Sequence, residues 1–115
     1  MECAVIRLLD TSICIYIINK RPPQVLARFE GLHYGDVGIS SITGAELSFG
    51  VAKSGSARNR DAQDKFLAPL EVLPFDEAAM RVYGPLRAEL QGRGQAIGSL
   101  DMLIAAHALA LGATL

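Results

Sequence analysis

Three acidic residues occupy positions where an acid suits chemistry better than solubility. Asp10 ends an apolar run, Glu46 lies among apolar residues of a predicted helix, and Asp101 falls in the first turn of the last predicted helix. Two carboxylates about 4 Å apart repel each other by ~4 kcal/mol at an effective dielectric of about 20. A site that gathers several acids therefore needs a cation, or a raised pKa, to offset that repulsion.

The first acid follows a predicted strand. Residues 4–9 form a mostly apolar run of strand length, which Asp10, Thr11 and Ser12 close. In parallel α/β sheets, ligands bind beyond the carboxyl ends of the strands, which is where Asp10 is expected to lie. Any of these three polar residues could also simply cap the following helix, so this position alone leaves both interpretations open.

The second acid lies where a short strand is predicted to run into a helix, within residues 39–51. Ser40 or Ser41 is the expected N-cap of that helix. Helical spacing places Glu46 on a half-apolar face, where an unpaired charge is costly. The structural alternative is a capping box formed by Thr43 and Glu46.

The third acid follows a glycine-punctuated loop, with Ser99 predicted to cap the last helix. The helix dipole favours an acid such as Asp101 in a first turn by roughly 0.3–1 kcal/mol, so this position alone indicates structure more than catalysis. The combination of three acids is what predicts a site. Because all three are hard oxygen ligands, that site would suit Mg²⁺ or Mn²⁺ and not zinc.

The cysteines and histidines have no metal-site spacing. Cys3 and Cys14 flank apolar segments and are predicted to be small buried residues of a reducing compartment. His33 and His107 are isolated, and His107 does not share a helical face with Asp101. We therefore expect both histidines to be packed or surface residues outside the site.

Composition predicts one compact domain with a sizeable core, since the chain has 115 residues of which 50% are hydrophobic. The net charge of −1 provides no overall basic field for nucleic acid. The N-terminus lacks a secretory signal, and no apolar stretch reaches the ~20 residues that span a bilayer, so we expect a cytoplasmic protein. Contact with RNA would require local basic residues, namely Lys53, Arg58, Arg60 and Lys65.

Strand-like and helix-like segments alternate along the chain. Such alternation predicts an α/β fold with a mostly parallel central sheet and helices on both faces, in three layers. Strands are predicted near residues 4–9, 37–39 and 70–73, and helices near residues 12–19, 24–30, 41–53, 58–66, 79–90 and 99–108.

The residues around the three acids resemble a known family. Residues 9–14, 39–47 and 97–108 are similar to the motifs of the PIN-domain ribonucleases, and most closely to those of the VapC toxins of VapBC toxin–antitoxin modules. The resemblance covers residues 1–115 as a single PIN domain. It implies that Asp10, Glu46 and Asp101 are catalytic, metal-binding acids and that Thr11 supports the site.

The resemblance also implies an activity and partners. The expected activity is endoribonuclease cleavage, in which water activated by Mg²⁺ or Mn²⁺ hydrolyses an RNA phosphodiester. The expected assembly is a homodimer bound by a VapB-like antitoxin, which can place a basic side chain among the acids. Such a side chain would offset the same repulsion as the metal does.

The chain departs from the family pattern at two places. Ser12 stands where the first motif often has asparagine, and serine can make similar local hydrogen bonds. Family members continue past a segment like residues 112–115 through a last strand to a further polar or acidic site residue. We therefore expect residues 1–115 to lack the final strand segment and this fourth residue, which would weaken metal binding.

Other functional classes fit less well. A haloacid-dehalogenase-like phosphotransferase needs a second aspartate two residues after the first, where this chain has Ser12. A response-regulator receiver domain needs paired acids at the first strand and an aspartate that ends a middle strand, and neither is evident. The alternative that stays open is a catalytically weak PIN domain that acts as a partner-binding or regulatory module.

Overall fold

A computed structural model describes residues 7–20, 36–95 and 97–115. Cys3, His33, residues 4–6 of the first predicted strand and the predicted helix at 24–30 lie outside these residues. Within them, the strands are β1 (Arg7–Leu9), β2 (Val37–Ser40) and β3 (Glu71–Leu73), and the helices are α1 (Thr11–Lys20), α2 (Ser41–Ser54), α3 (Ala57–Leu67), α4 (Glu77–Gly92) and α5 (Ser99–Leu111).

The strands form one parallel sheet in the order β1-β2-β3, which confirms the predicted α/β architecture. Parallel neighbours need crossover connections, and α2 and α3 supply the connection between β2 and β3. Beyond α5, Thr114 forms a parallel bridge with Arg7 at the start of β1. Helix α5 therefore runs back from the edge where the strands end, called the carboxyl edge below, to the edge where they begin.

Each face of the sheet is covered by its own hydrophobic core, because successive side chains of a strand point to opposite faces. Leu8 belongs to one core and Leu9 packs against the other. This arrangement confirms the predicted three layers. The α5 core consists of Leu8, Leu73, Ile104 and Ala108, and the α1–α3 core consists of Cys14, Ile39 and Leu47, with partly buried residues packed against each.

Capping residues set the ends of several helices. The Ser40 hydroxyl accepts a hydrogen bond from the Ile42 N–H and caps α2, and Gly55 ends α2 in the left-handed conformation, with φ of 64°. The prediction that Ser99 caps α5 is wrong. The Met102 N–H bonds to the Gly98 carbonyl at 2.9 Å, so the helix begins one residue earlier and Gly98 is the N-cap.

Helix α4 packs along α5, and five apolar or aromatic residues at helical spacing form one face of α4. Ala79 is fully buried and the other four members of that face are half-buried. The half-buried members of the face are Val82, Tyr83, Leu86 and Leu90.

No helix within residues 7–20, 36–95 and 97–115 is both long and apolar enough to cross a lipid bilayer.

Candidate metal and nuclease site

Asp10 lies directly after β1, at the carboxyl edge of the sheet. Its Oδ1 accepts a hydrogen bond from the Ile13 N–H at 2.8 Å, so Asp10 caps α1. The capping interpretation is therefore correct. It does not exclude a second role, because the cap uses one carboxylate oxygen and a metal ion needs only one more.

Glu46 is joined to the start of α1. The Thr11 hydroxyl donates to Glu46 Oε1 at 2.6 Å, a length typical of a hydroxyl bonded to a charged carboxylate. This bond connects residues 35 positions apart and fixes one oxygen of a half-buried acid. The capping-box alternative is wrong, since Ser40 caps α2 and the buried Thr43 hydroxyl has no hydrogen-bond partner.

Asp101 approaches the carboxyl edge from the α5 side. It is exposed, and its Oδ2 lies close to Gly98, where an added Cβ would be 3.5 Å away. Ile104, one helical turn later on the same face, belongs to the α5 core together with Leu8.

The structure brings Thr11 and Glu46 into contact, and Thr11 follows Asp10 directly in the chain. Among residues 7–20, 36–95 and 97–115, no three His, Cys, Asp or Glu side chains are close enough to hold one metal ion. The geometry thus consists of the Thr11–Glu46 contact next to Asp10, where α1 and α2 begin, and of Asp101 in the first turn of α5.

The chemistry of these donors fits a hard divalent cation. Carboxylate and hydroxyl oxygens are the ligands that Mg²⁺ and Mn²⁺ prefer, whereas zinc sites are usually built from sulfur and nitrogen. Among the described residues the softer candidates, Cys14 and His107, are buried and face other groups. Burial, together with the nearby Asp10 charge, raises the pKa of the Cys14 thiol to about 12, and the His107 ring nitrogen Nδ1 bonds to Ser40 Oγ.

A groove of about 560 Å³ opens beside Glu46, between α1, α2 and α3. Its apolar part includes Leu47 and Val51, and Arg58 lies on its wall. Of the other predicted basic residues, Lys65 forms an exposed ion pair with Asp61 at 3.2 Å. The sequence prediction did not include three amide side chains that line the groove, because no local pattern distinguishes them from other surface residues; they are Asn19, Asn59 and Gln63.

The chain is similar to known proteins along nearly its whole length. The sequence pattern of the PIN domain family matches residues 7–115. Ribonuclease VapC2 of Rickettsia felis is 45% identical over 112 residues, which cover 96% of this chain and 84% of that protein. The tRNA(fMet)-specific endonuclease VapC of Shigella flexneri is 41% identical over 106 residues, covering 91% of this chain and 80% of that protein.

A solved structure shares the fold as well. The crystal structure of VapBC2 from Rickettsia felis, bound to a DNA fragment from its promoter, matches with a TM-score of 0.87 and 42% identity, over 95% of this chain and 84% of that one. The parallel sheet, the acids at its carboxyl edge and these similarities lead to one conclusion. The chain belongs to the PIN-domain family, among the VapC ribonucleases.

Proposed function

We propose that this protein is the toxin of a type II toxin–antitoxin module and acts as an endoribonuclease that depends on Mg²⁺ or Mn²⁺. The observation that carries the proposal is the hydrogen bond between Thr11 and Glu46 beside Asp10 at the carboxyl edge. A half-buried carboxylate oriented by a buried or partly buried donor is how proteins prepare a metal ligand. The 45% identity to Ribonuclease VapC2 supports the same activity.

In this proposal Asp10, Glu46 and Asp101 hold the metal ion, and Thr11 orients Glu46. A divalent ion in such a site makes a water molecule more acidic and neutralises charge at the cleaved phosphodiester. The three acids supply the negative charge that attracts the ion, and the ion offsets their mutual repulsion. No side-chain nucleophile is required, which agrees with the burial of Cys14 and the pKa of about 12 of its thiol.

The proposed partner is an antitoxin of the VapB type, and the proposed assembly is a toxin homodimer bound by it. Support comes from the related Rickettsia felis structure, which is a VapBC2 complex. An antitoxin arginine or lysine among the acids would offset their repulsion as a metal ion does and would exclude both metal and RNA.

Asp10→Asn tests the proposed activity with little disturbance to the fold. Asparagine caps helices as well as aspartate does, so α1 keeps its cap while the site loses a charge. Removing groups that only support a metal ligand costs roughly 10- to 100-fold, so loss of a ligand charge should reduce cleavage by at least about 100-fold. The first substrate is tRNA(fMet), for which the Shigella flexneri relative is named, with Mg²⁺ or Mn²⁺ present.

The chain offers a matched control after β3, the strand that does not neighbour β1. Asp76 caps α4 by accepting a hydrogen bond from the Ala79 N–H at 3.1 Å, and it follows β3, which β2 separates from β1. Asp76→Asn makes the same chemical change in the same structural role and should leave cleavage near the wild-type rate. Undiminished cleavage by Asp10→Asn would contradict the assignment.

One observation favours the alternative, a catalytically weak partner-binding module. The three acids do not form one group of ligands among the described residues. That alternative predicts a wild-type chain that cleaves neither tRNA(fMet) nor total cellular RNA with Mg²⁺ or Mn²⁺, yet still binds an antitoxin. Metal-dependent cleavage of either RNA preparation by the wild type would exclude it.

A further inference from the structure

His107 is a buried histidine that the proposed cleavage chemistry does not use. It is 1% exposed, and its Nδ1 lies 2.8 Å from Ser40 Oγ, which is itself completely buried. Its ring stands edge-on to Phe75, with centroids 5.5 Å apart and planes at 75°. Burial lowers the pKa of His107, while the Asp76 charge and a hydrogen bond to the Pro74 backbone raise it.

Ser40 Oγ joins His107 to the end of β2. It accepts a hydrogen bond from the Ile42 N–H at 3.1 Å and lies within hydrogen-bond distance of His107 Nδ1. A hydroxyl has one donor and two acceptor sites, so Ser40 can make both contacts at once. The buried ring thus has a polar partner 67 positions away in the chain.

The partners of His107 all lie at the carboxyl edge. Ser40 is the last residue of β2, and Pro74 follows the last residue of β3. A further bond, from the Phe75 N–H to Ser41 Oγ at 3.0 Å, joins the segments that leave these two strands. His107 therefore attaches α5 to the end of β2 through Ser40 and packs against Phe75 in the segment that follows β3.

Asp101 lies on the same helix, six residues before His107. At about 1.5 Å per residue, the two are separated by about 9 Å along the helix axis. In the first turn of α5 the N-cap makes no side-chain hydrogen bond and Leu100 is 48% exposed, while Met102 is buried. The orientation of α5 at His107 and in its core thus decides where Asp101 lies relative to Asp10.

We infer that His107 is a positioning residue of the nuclease site, which acts with Ser40 to hold α5, and with it Asp101, at the carboxyl edge. This inference rests on the proposed function. A residue that only filled the core would need volume and not a hydrogen bond to a strand end, and buried polar groups of this kind specify one arrangement of the elements they join.

Binding of Mn²⁺ to the full chain without RNA, followed by isothermal titration calorimetry, tests the inference. His107→Phe keeps an aromatic ring beside Phe75 and removes both ring nitrogens. Groups that orient metal ligands change affinity by roughly 10- to 100-fold, so we expect Mn²⁺ binding about 10-fold weaker than in the wild type. In RNA cleavage, the metal concentration for half-maximal rate should rise by the same factor, while KM for RNA stays unchanged.

Three further variants separate positioning from packing. Ile104→Val removes one buried methylene from α5 and no hydrogen bond, so for the same fall in melting temperature it should weaken Mn²⁺ binding less than His107→Phe does. His107→Asn can keep the bond to Ser40 and should bind Mn²⁺ with intermediate affinity, and it supplies the measurement if His107→Phe does not fold. Ser40→Ala should weaken binding as His107→Phe does, and the double variant should be no weaker than either, because the two residues share one interaction.

The outcomes distinguish the inference from the proposed function. A wild type that binds Mn²⁺ and a folded His107→Phe of equal affinity overturn the inference and leave the nuclease proposal intact. The inference is also overturned if Ile104→Val and His107→Phe lose affinity equally for an equal loss of melting temperature. A wild type that neither binds Mn²⁺ nor cleaves RNA overturns the proposed function, and the role of His107 with it.

Discussion

On the α1–α2 side of the carboxyl edge, the Thr11 hydroxyl bonds directly to Glu46, whereas on the α5 side Asp101 makes no side-chain hydrogen bond to any described residue. Glu46 is half-buried and Asp101 is exposed. The position of Asp101 depends instead on the helix that carries it, which the buried His107 attaches to Ser40.

This difference shows two ways of placing a carboxylate. A side-chain hydrogen bond of 2.6 Å fixes an oxygen atom of Glu46 itself. A helix fixes only the backbone at Asp101 and leaves the side chain its rotamers. We therefore expect a single substitution beside Glu46 to disturb the site directly, and the α5 side to respond to substitutions that shift or loosen a whole helix.

The largest effect in this comparison should come from Thr11→Val. Valine has nearly the shape of threonine but cannot donate to Glu46, so the carboxylate loses its orientation. Loss of such a supporting group typically costs 10- to 100-fold, and we expect about that reduction in Mn²⁺ affinity and in cleavage of tRNA(fMet). Thr11→Ser keeps the hydroxyl and should stay close to the wild type. Equal losses in both variants would show that the methyl group, and not the hydroxyl, matters.

A smaller effect is expected when the pH is lowered, and it should arise at His107 on the α5 side. Because burial lowers the pKa of His107 below its ordinary value of about 6.5, the unfolded chain takes up a proton there at a higher pH than the folded chain does. Stability should therefore fall as pH drops from about 6.5 towards the folded-state pKa, and this contribution should be flat above that range. The Asp76 charge opposes the shift, so Asp76→Asn should steepen the fall.

Urea unfolding between pH 5 and pH 8 measures this dependence. His107→Phe should lack the part of the pH dependence that His107 contributes, while His33 remains in both proteins and cancels in the comparison. The same slope in the two proteins would show that His107 is not the group responsible.

The smallest effect should come from Thr43→Val, which sharpens the comparison between two buried hydroxyls. Ser40 Oγ has two hydrogen-bond contacts, whereas Thr43 Oγ1 has none. An unsatisfied buried polar group costs about 1–3 kcal/mol, so replacing it with an apolar side chain of similar shape should leave the free energy of unfolding unchanged or raise it by about 1 kcal/mol. Ser40→Ala should lower it, and thermal unfolding of both variants measures the contrast. A clear loss of stability in Thr43→Val would reveal a hydrogen bond at Thr43.

Local patterns predicted most of the elements. The apolar runs and the alternation of periodicities identified the three described strands and the α/β class, and capping residues such as Ser40 located helix ends closely. The N-cap of α5 is wrongly predicted because Gly98 and Ser99 are adjacent and both residue types cap helices. The backbone hydrogen bond from the Met102 N–H to the Gly98 carbonyl decides between them in the structure.

The arrangement of the site residues is harder to predict from the sequence than the elements are. Asp10, Glu46 and Asp101 stand out one at a time, yet each also has a structural explanation, and the capping box for Glu46 is excluded only by the Ser40 cap and the unbonded Thr43 hydroxyl in the structure. His107 was expected to be packed or exposed, and its place at the ends of two strands had no local signal. The alanines around it indicated burial but not which residues it would meet.

Periodicity and caps act over a few neighbouring residues, so the chain alone specifies its strands, its helices and the acids that end or begin them. The pairing of Thr11 with Glu46 spans 35 residues and that of Ser40 with His107 spans 67. Such contacts depend on strand order and on how helices pack over the sheet. For this reason the hydrogen bonds that hold Glu46 and helix α5 at the carboxyl edge are found only in the folded structure, although the acids themselves can be identified from the sequence.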